Sequence, residues 1–221
     1  MRDHRTIWLT VAGMLVAGVC GCARLSGSTQ IRPTVIAGAE TVPENLELYN
    51  DLITALHAGE RPETVAARAL KVVSTGSPGL IAYATIQIEN WSDSYEDESV
   101  LRTVAHACLE RPDPLVRWSG VHAAYHLGDK TRVLAALLAD YPSLAIRPDY
   151  PKGEVVGATG FIGQVSPAVA LASLRCDLVG LLGELQIKAS LPVVEAITAD
   201  HDEWHEETRK VARQTVNALS G

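Results

Sequence analysis

"DPLVRWSGVHAAYHLGDKTRVLAALLAD", residues 113–140, is the stretch whose reading decides the fold. Its apolar residues recur at three- and four-residue steps, the period of a helix with one buried face. The stretch reads as a helix, a tight Gly128-Asp129 turn and a second, shorter helix. The same plan returns in "LRCDLVGLLGELQIKASLPVVEAITAD", residues 174–200. With Arg117 laid on Arg175, Gly120 meets Leu178, Ala123 meets Leu181, Ala124 meets Leu182 and Leu127 meets Leu185. Each second helix ends in Ala-Asp, at Asp140 and Asp200. A further first helix follows in "DEWHEETRKVARQTVNALSG", where Arg209 takes the arginine place with Ala212, Thr215, Val216 and Leu219 behind it. A recurring helix pair of about 30 residues is the mark of a solenoid, in which each pair buries its apolar seam by stacking on the next. The expected fold class is therefore all-α, an α-solenoid of helix pairs.

Upstream the helical period continues. "LELYNDLITALHAG" (46–59) spaces Leu46, Tyr49, Leu52, Ile53 and Leu56 on one face, and Gly59 stops it. "PETVAARALKVV" opens with Pro62 at a helix start. "SPGLIAYATIQIENW" (77–91) has an Ile- and Thr-rich part that suits a strand, but its neighbours are helical and it is read as a helix. "EDESVLRTVAHACLE" (96–110) is amphipathic, with acids in its first turn where the helix dipole favours them.

The repeated segments resemble HEAT repeats of the PBS-lyase-like type. That family's pattern is an Asp-x-x-x-Val-Arg start, a small-residue seam ending Ala-Leu-Gly, a Gly-Asp turn and a second helix ending Leu-x-Asp. "DPLVRWSGVHAAYHLGD" follows it with Tyr125 where a glycine is usual, and "LVGLLGEL" keeps that glycine as Gly183. The resemblance covers 113–140 and 174–219 and is weak before residue 95. It implies close approach of the helices of a pair at the small residues, and Arg-to-Asp pairing between neighbouring repeats. HEAT-type di-iron hydroxylases carry several His-Glu pairs; this chain has one, His205-Glu206.

Arg117 and Arg175 lie 58 residues apart, whereas Arg175 and Arg209 are separated by 34. The excess falls in "YPSLAIRPDYPKGEVVGATGFIGQVS", read as one long inserted loop, 142–165, holding prolines, glycines and the chain's single phenylalanine, Phe161. Gly157, Gly160 and Gly163 form the G-x-x-G-x-x-G spacing of a dinucleotide turn in the extended short-chain dehydrogenases. Such a turn needs a strand of a parallel sheet before it and an acid at the end of a second strand to hold the ribose. Asp177 stands 20 residues after Gly157 but inside a helical run, and no strand–helix alternation surrounds it. No dinucleotide or other cofactor is expected; the glycines read as turns, and Phe161 as a plug against the stack or a contact for a partner.

The first residues stand apart from the body. A short charged start with Arg2 and Arg5 leads into an uncharged run from Thr6 to Ala23. The pattern reads as a secretory signal, and Val19-Cys20-Gly21-Cys22 resembles the lipobox of bacterial lipoproteins. That resemblance implies residues 1–21 as signal peptide, lipid on Cys22, a flexible tether from Cys22 to residue 45 and a repeat domain from 46 to 221. Two or three acyl chains hold a protein stably on a membrane. Ala23 after Cys22 favours the outer membrane by the sorting rule that this motif implies. The alternative is an uncleaved anchor helix at the lower length limit for spanning.

Without residues 1–21 the chain has 17 basic and 25 acidic residues, a net of −8. Such a body lacks the clustered cations that nucleic acid requires. Cys108 and Cys176 fall in helical patterns and read as small buried apolar groups, with a single bridge between them left open. His201 and His205 in "HDEWH" have the i, i+4 spacing of a zinc-binding helix, yet lack a third ligand and the glutamate of H-E-x-x-H. His122 and His126 share that spacing and read as a solvated helix face. No catalytic constellation stands out and no resident metal is expected. The expected function is that of a membrane-anchored scaffold or adaptor binding another protein at the envelope. Binding would use Trp118 and His122 on a curved helical face, or Phe161 in the loop. The alternatives are a metal-dependent enzyme using His201 and His205, and a structural envelope lipoprotein without a specific partner.

Overall fold

The computed structural model describes residues 43–148 and 167–221. Among these, every regular element is a helix, and nine α-helices follow one another in the chain. They are α1 (Pro43–His57), α2 (Pro62–Thr75), α3 (Pro78–Tyr95), α4 (Ser99–Leu109), α5 (Pro114–His126), α6 (Lys130–Asp140), α7 (Pro167–Glu184), α8 (Leu191–Ala199) and α9 (Glu206–Ser220). Single 3-10 turns at Tyr141–Ala145 and Lys188–Ser190 follow α6 and precede α8.

The helix boundaries have local causes. Proline opens α2, α3 and α5, where the missing N–H costs nothing. Ser77 caps α3, Asp113 caps α5 by accepting from the Leu115 amide at 2.9 Å, and Asp129 caps α6 from the Arg132 amide at 3.1 Å. The acids 96–98 precede α4 rather than lying in its first turn, and Asp97 accepts the Ser99 amide at 2.8 Å. The α5–α6 turn runs through Gly128 at φ +73°, a conformation that glycine adopts without strain. At the matching place after α7 stands Gln186 at φ 53°. Its side-chain amide donates to Gly183 O at 2.8 Å and Ala218 O at 3.3 Å, hydrogen bonds that help hold the left-handed turn.

The Ile- and Thr-rich segment is the long helix α3, and its place explains its composition. Residues Leu80 to Thr85 are all buried in succession, so the helix is enclosed on most of its circumference. It packs against α1, α2, α4, α5 and α7. The hydroxyl of Thr85 is satisfied by Ile81 O one turn back, at 2.8 Å.

Most of the positions aligned in the sequence are buried, with Leu127, Leu185 and Val216 half-buried. Gly120, Ala123 and Ala124 are buried in α5, Leu178, Leu181 and Leu182 in α7, and Ala212, Thr215 and Leu219 in α9. The close approach lies elsewhere than within a pair. A Cβ on Gly120 would come within 2.9 Å of the Leu109 nitrogen and 3.0 Å of Ala105 O, so Gly120 admits the preceding helix α4 rather than its partner α6. Gly183 likewise faces Thr215 of α9, whose hydroxyl donates to Val179 O at 3.1 Å. One contact departs from an array in which each pair meets only its neighbours: α3 packs on α7, beyond the intervening α5–α6 pair.

Cys22, the expected signal and most of the expected tether lie outside the described residues, as do Phe161 and the three glycines of the dinucleotide-like spacing. The start of the expected loop is described. Tyr141–Ala145 forms a helical turn with Leu144 buried, and Pro148 is buried as well. Among the described residues no helix is long and apolar enough to cross a membrane.

Candidate functional site

Polar groups converge where α3, α5 and α7 meet. His122 lies midway along α5 with its ring between two carboxylates from different helices. Its Nδ1 is 2.8 Å from Glu89 Oε1 of α3, and its Nε2 is 3.1 Å from Asp177 Oδ2 of α7. The side chains of His122 and Glu89 are only 13% and 7% exposed. Each ring nitrogen faces a carboxylate oxygen, an acceptor, so the arrangement suits a ring that donates from both nitrogens, the imidazolium. Burial pushes the ring's pKa down, but the charge of Glu89 and the bonds to Asp177 and Glu89 outweigh it and hold the pKa at about 10. One turn on, His126 Nε2 meets Asp93 of α3 at 3.1 Å, and between them the Tyr125 hydroxyl donates to Glu184 of α7 at 3.3 Å. Three side chains of one helix thus bridge α3 and α7.

A second polar group is buried completely. Arg175 of α7 and Glu203, in the turn before α9, form an ion pair with both side chains 1% exposed. Arg175 Nε also donates to Leu144 O at 2.8 Å, fixing the 3-10 turn after α6. The other oxygen of Glu203 accepts the His205 amide at 3.1 Å, and Arg209 donates to the Glu203 carbonyl. A buried charge pair of this kind is tolerated only when further hydrogen bonds satisfy it.

The repeated arginines do not repeat their partners. Arg117 pairs with Asp140 of its own helix pair at 2.9 Å and donates to the Arg111 and Pro112 carbonyls. Arg175 instead takes Glu203, and Asp200 takes Arg147 at 3.0 Å. The pairing of neighbouring repeats through Arg and Asp is therefore replaced by three different uses. Arg147 with Asp200, and Trp204 Nε1 donating to Pro148 O at 2.8 Å, fasten the chain after α6 to the turn before α9.

The structure relocates two of the residues expected on a binding surface. Trp118 is 2% exposed and its indole N–H donates to Ser143 Oγ at 2.9 Å, so it belongs to the core. His122 is no solvated face residue, because two carboxylates enclose it. His201 and His205 do not share a helix face. Residues 201–205 form a turn and an irregular stretch, α9 starts at Glu206, and His205 Nδ1 contacts Thr208 Oγ1 at 2.8 Å. Burial lowers the pKa of His205. Among the described residues no group of three or more His, Cys, Asp or Glu could hold a metal ion. Cys108 and Cys176 are free and buried, with burial pushing both thiols up to about 12, which makes them unreactive.

The roles of Glu89 and Glu203 were missed by sequence reasoning, although Glu89 carried a signal: it is the single charged residue in the run "GLIAYATIQIENW". A charge there demands a partner. The structure also leaves large apolar groups at the surface. Leu134 and Leu138, one turn apart on α6, are 39% and 53% exposed, and Ile146 is 42% exposed. Comparison with protein-family models, with curated proteins and with solved structures found no match.

Proposed function

We propose that the chain is a lipid-anchored envelope protein whose HEAT-like helix pairs serve as a scaffold for another protein. The lipobox-like Val19-Cys20-Gly21-Cys22 supports the anchor, on Cys22, and the repeated register of α5–α6, α7–α8 and α9 supports the solenoid reading of the body. In this reading α3 acts as a brace across the pairs. The observation that carries the binding role is the exposure of Leu134 and Leu138 on one face of α6, with Ile146 just beyond it. Adjacent exposed leucines on a helix gain from being covered, at roughly 25 cal/mol per Å² of apolar area removed from water. The contact surface thus moves from Trp118 and His122 to the outer side of α6 and to the loop that leaves it.

The test is cross-linked affinity purification from native membranes, with three forms of the chain. These are the unaltered protein, one carrying Leu134→Glu and Leu138→Glu, and one lacking residues 151–165. The deletion spares Leu144 and Pro148, which belong to the folded body. A stoichiometric partner lost with the two glutamates supports the scaffold and its surface. A partner retained by both altered chains refutes the surface. No specific partner with any form refutes the scaffold reading.

A further inference from the structure

We propose that Glu89, His122 and Asp177 form a proton-held latch that closes α7 onto α3 and α5, and that losing the proton opens this joint. The geometry carries the argument. Each nitrogen of one ring faces a carboxylate, and the two carboxylates belong to helices nearly 90 residues apart in the chain. With a proton on both nitrogens, the ring neutralises one carboxylate and donates to both. With a single proton, one carboxylate faces a nitrogen lone pair at hydrogen-bonding distance, in a setting that excludes most water. Both acceptors then repel, and separating α7 from α5 relieves the conflict by letting water reach Asp177, the more exposed of the two.

The charged groups around the ring are few. α3 contributes Glu89 and, one turn away, Asp93, which pairs with His126. α7 contributes Asp177 and, two turns on, Glu184, which accepts from Tyr125. Of the charged groups on the other two helices against α5, Arg102 pairs with Glu98 and His106 with Glu110 at α4, while Arg132 pairs with Asp129 and Asp140 with Arg117 at α6. Burial, which lowers the ring's proton affinity, and Glu89 and Asp177, which raise it, therefore set it between them.

The sign follows from linkage. The closed ring keeps its proton up to about pH 10, whereas an opened, hydrated ring loses it near 6.5. The latch is at full strength below pH 6.5. Between those values the closed form holds one proton more than the open form, so the opening equilibrium rises about tenfold per pH unit. Above about pH 10 both forms are neutral and the dependence ends.

The experiment is amide hydrogen exchange on the full chain in detergent from pH 6 to 10.5. It reads the rate ratio of α7 amides to α2 amides, in which the common base catalysis cancels. The ratio is expected to climb about tenfold per pH unit above 6.5 in the unaltered chain and to stay flat in His122→Gln. Asp177→Asn keeps Glu89 and narrows the window, which preserves the test should His122→Gln fail to fold. Ring-nitrogen NMR on the unaltered chain at pH 8 should find both His122 nitrogens protonated. A ring that titrates near 6.5, a flat ratio in the unaltered chain, or an equal climb in His122→Gln overturns the latch.

Discussion

Replacing Gly120 by alanine puts the α4–α5 contact to a quantitative test. An added Cβ would lie 2.8 Å from Leu109 Cγ, 2.9 Å from Leu109 N and 3.0 Å from Ala105 O. Carbon atoms in good contact stand about 3.5–4.0 Å apart, so the helices must separate by roughly half an ångström or more. Two of the three obstacles are backbone atoms of α4 and cannot rotate away. Overpacking of this kind costs about 1–3 kcal/mol. Alanine's better helix propensity returns about 1 kcal/mol. The backbone obstacles place the overpacking at the upper end, leaving a net loss of about 1–2 kcal/mol, or a Tm lowered by about 3–6 °C for a domain of this size. Gly180→Ala is the control. There the nearest atom is a methyl of Val211 at 3.4 Å, an ordinary contact, and the propensity gain of up to about 1 kcal/mol should appear unopposed. Urea and thermal unfolding of both variants beside the parent chain decide the matter. If Gly120→Ala is as stable as the parent, or if Gly180→Ala falls as far, the close approach does not govern this interface.

Two further substitutions probe the buried charges and the turns. Glu203→Ala leaves the Arg175 guanidinium buried and unpaired and should cost about 3–5 kcal/mol, read as a lowered urea midpoint; adding Arg175→Met should recover most of it. An unchanged midpoint in the single variant would mean that the pair is hydrated. Glu96, exposed at φ 54° after α3, should gain up to about 1 kcal/mol on change to glycine, since the left-handed strain of about 1–2 kcal/mol exceeds the added chain entropy. Gln186→Gly should gain less by the same thermal measurement, because its amide bonds to Gly183 O and Ala218 O are lost.

The helical body was legible because its signals are local. The steps of three and four in 113–140 and 174–219 give the pairs, the register of buried positions and the Gly128 turn. Even α3, with its strand-like "TIQI", was settled by its neighbours. What stayed hidden depends on contacts between distant segments. His122 fitted a solvated face until Glu89 and Asp177 arrived from helices 33 and 55 residues away. Trp118 had the composition of a binding residue, and only the position of Ser143 shows that it points inward. The alternation of Arg and Asp suggested one repeated bond, yet the chain after α6 supplies Leu144 O and Arg147, which redirect Arg175 and Asp200. The i, i+4 spacing of His201 and His205 carried no information because a turn, not a helix, joins them.

The position of α3 has a consequence for how much of the chain can be removed. An array of independent pairs shortens gracefully, losing stability one pair at a time. Here a helix ending at Tyr95 rests one of its sides on a helix ending at Glu184. A chain cut before α7 keeps α3 but leaves the side that rests on α7 uncovered. The earlier helices therefore wait on the later ones, and the minimal foldable length is set by a residue far downstream of the third helix. A nascent chain carries an incompletely covered third helix until Glu184 has emerged.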